Sequence, residues 1–137
     1  MRDNIFCDSN ILLYAFGKQD LKKKAIASKL ILDKKSIISV QVINEVSNIM
    51  LRKLNFTNEQ IQFFIQSCYR KYNVSKLGKK IFLLACDIRN SYKLSYYDSI
   101  IVATAMESNC KIIYSEDMQH KQIIFDKLTI IDPFKEL

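Results

Sequence analysis

Glycine is nearly missing from this chain: Gly17 and Gly78 are the only two in 137 residues. Phosphate-cradling loops of the P-loop or dinucleotide-binding kind need several glycines at fixed spacing, so neither can be built here. If the protein handles phosphates, metal ions or basic side chains must hold them. Histidine is scarcer, with His120 alone. The four cysteines, Cys7, Cys68, Cys86 and Cys110, make no C-x-x-C pair and none neighbours His120, which argues against a zinc site. Each lies in or beside an apolar segment, so reduced cysteines packed in the core are expected. No apolar run approaches the roughly 18 residues of a membrane-crossing helix. The opening residues lack the long apolar core of a signal peptide, and a cytoplasmic protein is expected.

Acidic residues are in deficit, 14 against 21 Lys and Arg, for a net charge of +7. Excess positive charge favours a polyanionic partner, nucleic acid first. From Gln60 to Cys86 there is no acid at all, while Arg70, Lys71, Lys76, Lys79 and Lys80 fall in that stretch with Tyr69 and Tyr72. It is either a solvated helix–loop–helix surface or an RNA-facing patch.

What the chain does have is apolar residues, 49% of the total, enough for a single-domain core spanning residues 1–137. Ile5 to Cys7 reads as a buried strand that stops at Asp8. A short helix, Ile11 to Phe16, ends at Gly17. Asp20 to Asp33 is helical, with Leu21, Ala25, Ser28 and Leu32 at helical spacing and Lys22, Lys23 and Lys24 exposed. Ser36 to Val40 is a second strand, followed by a helix over Gln41 to Leu54. Thr57 to Gln60 has the capping-box pattern and opens another helix. A further helix carries Leu77, Ile81, Leu84, Ala85 and Ile88. Ser95 to Met106 is apolar nearly all round, hence a buried helix. Ile112 to Tyr114 and Leu128 to Ile131 complete four expected strands. Strands alternating with helices imply right-handed crossovers and a short central parallel sheet, an α/β/α sandwich of three layers.

Four carboxylates stand out by position. Asp8 and Asp117 both follow apolar strands, so a parallel sheet sets them at one edge, where α/β folds bind ligands. Asp98 lies in the first turn of the buried helix and, at about 100° per residue, shares a face with Val102 and Ala105. Glu45 sits about 40° past Ile49, at the border of its helix's apolar arc, without a helical ion-pair partner. Plainer roles exist. Asp98 with Ser95 fits a capping box, Asp117 a turn, and Glu45 a surface ion pair. Asp8 is the hardest to explain that way.

Carboxylates gathered at one place repel and raise one another's pKa values unless a cation neutralises them. Hard oxygen donors without His or Cys select Mg²⁺ or Mn²⁺. Such an ion polarises a phosphoryl oxygen and acidifies water. Asn10 and Ser115, at the same edge, are neutral supports for the ligands.

Phe6-x-Asp8-x-Asn10-x-Leu12-Leu13-Tyr14-Ala15, Asn44-Glu45, Tyr97-Asp98-x-x-Ile101-Val102-Ala103-Thr104-Ala105 and Tyr114-Ser115-Glu116-Asp117-Met118 resemble, in order, the motifs of the PIN domain. The similarity runs to the closing Leu128-Thr129-Ile130-Ile131-Asp132-Pro133-Phe134. At this length it resembles a VapC-type toxin of a bacterial toxin–antitoxin pair. The resemblance implies a Mg²⁺- or Mn²⁺-dependent ribonuclease that leaves 5′-phosphate and 3′-hydroxyl ends. It implies Asp8, Glu45, Asp98 and Asp117 as metal ligands, supported by Asn10 and Ser115. The family pattern selects Asp117 over its neighbour Glu116. A homodimer and a small VapB-like antitoxin that blocks the cleft are also implied.

Two other classes compete. A haloacid-dehalogenase-type phosphatase wants a second Asp two positions after the first, where Asn10 stands. A receiver-like phosphoacceptor wants an Asp pair near the first strand, and Asp8 is alone there. A non-catalytic RNA-binding domain stays open, and metal-dependent cleavage separates it from the enzyme.

Overall fold

The computed structural model describes residues 4–33 and 36–135. In chain order the elements are β1 (Asn4–Cys7), α1 (Ser9–Phe16), α2 (Leu21–Asp33), β2 (Ser36–Ser39), α3 (Val40–Arg52), α4 (Asn58–Lys71), β3 (Asn73–Ser75), α5 (Lys79–Ser91), α6 (Tyr96–Glu107), β4 (Cys110–Tyr114), β5 (Ile123–Ile124) and β6 (Leu128–Ile131). The sheet order is β3-β2-β1-β4-β6-β5. Every neighbouring pair is parallel except β5 with β6.

The chain steps from β1 outward to β2 and β3, then returns to β4 on the other side of β1. This reversal opens a crevice beyond the carboxyl ends of β1 and β4. Right-handed crossovers in opposite directions send their helices to opposite faces. Accordingly α1 packs on α2 and α3, α3 packs on α4, and α5 pairs with α6. The α/β/α sandwich is as expected, with a mostly parallel sheet. Phe6, Ile38, Phe64, Ile101, Ile113 and Ile130 are among its fully buried side chains. In α6 every residue from Ser99 to Ala105 is buried. Its hydroxyls bond inside the helix, Ser99 to the Ser95 carbonyl at 2.8 Å and Thr104 to that of Ile100 at 2.7 Å.

Several expectations need correction. Two short strands, β3 and β5, add to the four expected, and Val40 opens α3 rather than closing β2. Helix α1 stops at Gly17 as expected, but it begins at Ser9, two residues before the expected Ile11, and Gly17 has an extended backbone. A Cβ there would stand 2.7 Å from the Leu13 carbonyl oxygen, so close approach is what excludes a side chain.

Helix α2 turns nearly the opposite face inward. Leu21 is 72% and Leu32 84% exposed, whereas Ala27 is buried and Ile26, Leu30 and Ile31 pack on the core. Of Lys22, Lys23 and Lys24, only Lys22 is exposed. Lys23 bonds Glu116 and Tyr14, and Lys24 donates to the Ala15 and Gly17 carbonyls at 2.7 and 2.9 Å. These ammonium groups turn the lysine side of α2 toward α1, their aliphatic stems covering apolar surface. Cys7, Cys68 and Cys110 are buried, but Cys86 is exposed and does not pack the core. Burial pushes the thiols of Cys7, Cys68 and Cys110 up to about 12, which leaves them unreactive.

Candidate active site

Asp8 is fixed before its carboxylate is considered. Its N–H donates to the Tyr114 carbonyl at 3.0 Å, extending the β1–β4 ladder by one residue, and its own carbonyl accepts from Ile11 N–H at 3.1 Å to start α1. The side chain, 6% exposed, accepts from Ser9 N–H at 2.7 Å and from the Ser115 hydroxyl at 2.9 Å. Asp8 therefore does cap α1, a structural job the sequence did not reveal. Burial nevertheless pushes its pKa up to about 7. The two hydrogen bonds oppose that rise, and the charges of Asp98 and Glu45 add to it.

Glu45 reaches the same place from α3. One carboxylate oxygen accepts from the Ser9 hydroxyl at 2.6 Å, the other from Gln41 Nε2 at 2.9 Å. Glu45 therefore does have a partner within its own helix, Gln41 four residues earlier, where none was expected. Asp98, half-buried in the first turn of α6, has its pKa raised by burial, then by Asp117 and Glu45, against a hydrogen bond with Ser95. Ser95 caps the helix by accepting from Asp98 N–H at 3.1 Å. Among the described residues the reciprocal bond from Ser95 N–H that would complete a capping box does not form, so the Asp98 carboxylate has only the Ser95 hydroxyl as its partner in the cap.

The turn after β4 divides its two acids. Glu116 is neutralised by Lys23 and accepts from the Tyr14 hydroxyl at 2.7 Å. Asp117 accepts from Asn10 Nδ2 at 2.7 Å and acts on Asp98. The acid facing the cluster is Asp117. Ser115, fully buried, anchors the turn by donating its N–H to the Ile131 carbonyl at 3.0 Å.

The six residues chosen from sequence thus meet beyond β1 and β4: Asp8, Glu45, Asp98 and Asp117, with Asn10 and Ser115 as their hydrogen-bond donors. The ion pairs among the described residues, Lys23–Glu116 and Lys80–Glu107, involve none of the four acids. Residues 5–125 match the PIN domain family. The chain belongs to that family.

Solved structures agree on the PIN fold. The chain is similar to a toxin-antitoxin complex from Klebsiella pneumoniae, at 19% identity and TM-score 0.71 over 95% of this chain and 98% of that one. It is also similar to Mycobacterium tuberculosis VapC20, described as a Sarcin-Ricin loop cleaving toxin, at 15% identity and TM-score 0.67 over 82% and 89%. VapBC2 from Rickettsia felis, bound to a DNA fragment from its promoter, gives 16%, 0.67, 93% and 96%. No curated protein matches the sequence.

Among the described residues no three acids of this PIN domain are close enough to enclose an ion unaided. Their chemistry still suits Mg²⁺ or Mn²⁺. Magnesium keeps several waters and uses one or two protein carboxylates, with substrate oxygens supplying other positions. Ser9 and Gln41 are the supports that sequence reading missed. Ser9 was legible as the residue joining a strand-end acid to a helix, whereas Gln41 shows only as the residue four before Glu45.

The basic stretch is divided. Arg70 and Lys71 end α4 ahead of β3, and Lys71 borders a hollow with Phe16, Leu32 and Tyr72. Lys76, Lys79 and Lys80 follow the far end of β3, with Lys80 paired to Glu107 at 3.3 Å. Tyr72 is buried and Tyr69 exposed, so only Tyr69 of the two is free to meet a ligand. Among the described residues no helix is long and apolar enough to cross a membrane.

Proposed function

We propose that this PIN domain is a Mg²⁺- or Mn²⁺-dependent endoribonuclease, the toxin of a VapBC-type pair, acting as one domain over residues 1–137. The observation that carries this reading is the meeting of Asp8, Glu45, Asp98 and Asp117 from four separate stretches of chain, with no cationic side chain among the described residues ion-paired to any of them. Such a set is costly unless a cation neutralises it. Likeness to a toxin-antitoxin complex and to a Sarcin-Ricin loop cleaving toxin supports RNA as the substrate and a small VapB-like antitoxin as a partner. The family resemblance adds a homodimer and a cytoplasmic setting.

The reaction is hydrolysis of a phosphodiester. A water oxygen bonds to phosphorus, the P–O3′ bond breaks, and the water's protons pass to solvent and to the departing 3′-oxygen, leaving 5′-phosphate and 3′-hydroxyl ends. A bound divalent ion supplies Lewis acidity to the phosphate and acidifies water. Asp8, Glu45, Asp98 and Asp117 are the residues that would hold that ion. Ser9, Gln41, Asn10 and Ser115 fix the carboxylates in direction, so little reorganisation is needed when substrate arrives. Lys76 and Lys79 meet the RNA backbone.

A second reading, a non-catalytic RNA-binding domain, is favoured by the absence of a ready three-acid cage among the described residues. Cleavage of RNA by purified protein in Mn²⁺, in EDTA and with Asp98→Asn separates the two. The expected result is cleavage that needs both metal and Asp98, with the variant folded. Cleavage retained in Asp98→Asn rejects the site, and no cleavage of any RNA by folded, antitoxin-free protein favours the binding domain.

A further inference from the structure

A hollow of about 470 Å³ opens beside Glu45. Its walls are Leu77, Phe82, Tyr96 and Tyr97, and its polar rim is Gln41 and Asn44. The three aromatic side chains are all exposed, Tyr97 to 65%, and the rings of Tyr96 and Tyr97 meet edge-on at 5.6 Å. Core packing does not account for rings left in water, and aromatic patches of this kind mark binding surfaces.

The rim is equipped to read an edge. Both hydrogens of the Gln41 amide are engaged, by Glu45 at 2.9 Å and by the Tyr97 carbonyl at 3.4 Å. Its oxygen remains as an acceptor, and the exposed Asn44 amide makes no hydrogen bond among the described residues. The hollow is continuous with the acidic site, because Glu45 belongs to both and Tyr97 immediately precedes Asp98. Lys76 and Lys79, both exposed, flank Leu77 and Gly78 in the chain and bring positive charge beside a hollow whose one charged lining residue is Glu45.

We propose that this hollow seats one unstacked nucleobase of single-stranded RNA beside the phosphate to be cut. The base stacks on Tyr97 and Phe82, and the amides of Asn44 and Gln41 read its edge. The inference rests on the nuclease reading and adds to it a seat for one base and a one-base preference. A duplex does not suit the hollow, since its bases are already stacked. Sequence-selective RNA readout works on splayed single strands, with aromatic platforms and amide contacts. A protein side chain is the competing occupant.

The test is binding of short fluorescein-labelled single-stranded oligoribonucleotides in EDTA, read by anisotropy, with each base replaced in turn by an abasic site. One position is expected to cost wild-type protein about ten-fold in Kd. Tyr97→Ala loses a similar factor and becomes indifferent to that abasic site, while Tyr97→Phe keeps both affinity and preference. Asn44→Ala flattens the choice among the four bases there. Because Tyr97 is largely exposed, its loss does not threaten folding. A flat abasic scan, additive losses, or no RNA binding overturns the proposal and assigns the hollow to another occupant, a protein partner included. Cleavage in Mn²⁺ with a flat scan overturns the base site alone. One-base dependence without cleavage supports the base site and rejects the nuclease.

Discussion

The hydroxyl of Ser9 donates to Glu45 at 2.6 Å while the N–H of the same residue donates to Asp8 at 2.7 Å. A single residue at the first turn of α1 therefore sets two acids that arrive from different elements. Ser9→Ala keeps the bond to Asp8 and removes the one to Glu45. A loss of about ten- to a hundred-fold in Mn²⁺ affinity and in kcat/KM is expected, with the melting temperature little changed. Calorimetric Mn²⁺ titration beside a cleavage assay checks it, and unchanged values in both would remove Ser9 from the site.

Asp8 makes stability depend on pH in a definite direction. Its folded pKa of about 7 lies above the ordinary carboxylate range, so the folded chain holds this proton more tightly than the unfolded one. The contribution is full below about pH 4, declines through about pH 7 and is then lost, in metal-free protein. Asp8→Asn can keep both hydrogen bonds, accepting from Ser9 N–H and donating to Ser115. In EDTA at pH 8 it is expected to be more stable than wild type, by at most about 3–4 kcal/mol, and to lack the decline. Denaturant melts between pH 4 and pH 8 decide the matter, and parallel curves for the two proteins would refute the account.

The same proton competes with a cation. The rise in melting temperature given by Mn²⁺ is expected to grow from pH 5.5 to about pH 7 and then level off. A shift independent of pH would mean that the ion binds away from Asp8.

Glu116 and Asp117 are neighbours with opposite fates. Glu116→Gln breaks the pair with Lys23 and lowers the melting temperature by a few degrees, yet leaves cleavage within about three-fold of wild type. Asp117→Asn does the reverse, reducing cleavage at least about a hundred-fold with little change in melting. An activity loss confined to the Glu116 variant would exchange the two roles.

The divided basic stretch predicts unequal salt effects. Lys76→Ala with Lys79→Ala is expected to weaken RNA binding and reduce the salt slope by about 1 to 2 units. Arg70→Ala with Lys71→Ala leaves the slope unchanged. Equal slopes for the two pairs would place RNA elsewhere.

The positions of the strand-end acids were legible from local pattern alone. Asp8 after Ile5–Cys7 and Asp117 after Ile112–Tyr114 follow from apolar strands in parallel, a local pattern with one geometric outcome. The burial of α6, and with it the inward lean of Asp98, likewise follows from residues apolar all round. The β5–β6 turn was not legible in this way. Phe125 and Asp126 both have positive φ, 48° and 57°, where hairpins favour Asn-Gly. That turn is held from outside, by the Tyr92 hydroxyl accepting from Phe125 N–H at 2.9 Å and by its ring edge-on at 5.4 Å.

Which face of α2 turns inward was set by contacts with distant parts of the chain. Its weak apolar stripes fit either face, and the choice went to the lysines because Glu116 and the carbonyls ending α1 receive their charge. The hydrogen bonds of Ser9 to Glu45 and of Asn10 to Asp117 span 36 and 107 positions of chain. Periodicity reports which side of an element is apolar, whereas a contact between polar groups that far apart depends on how the elements pack.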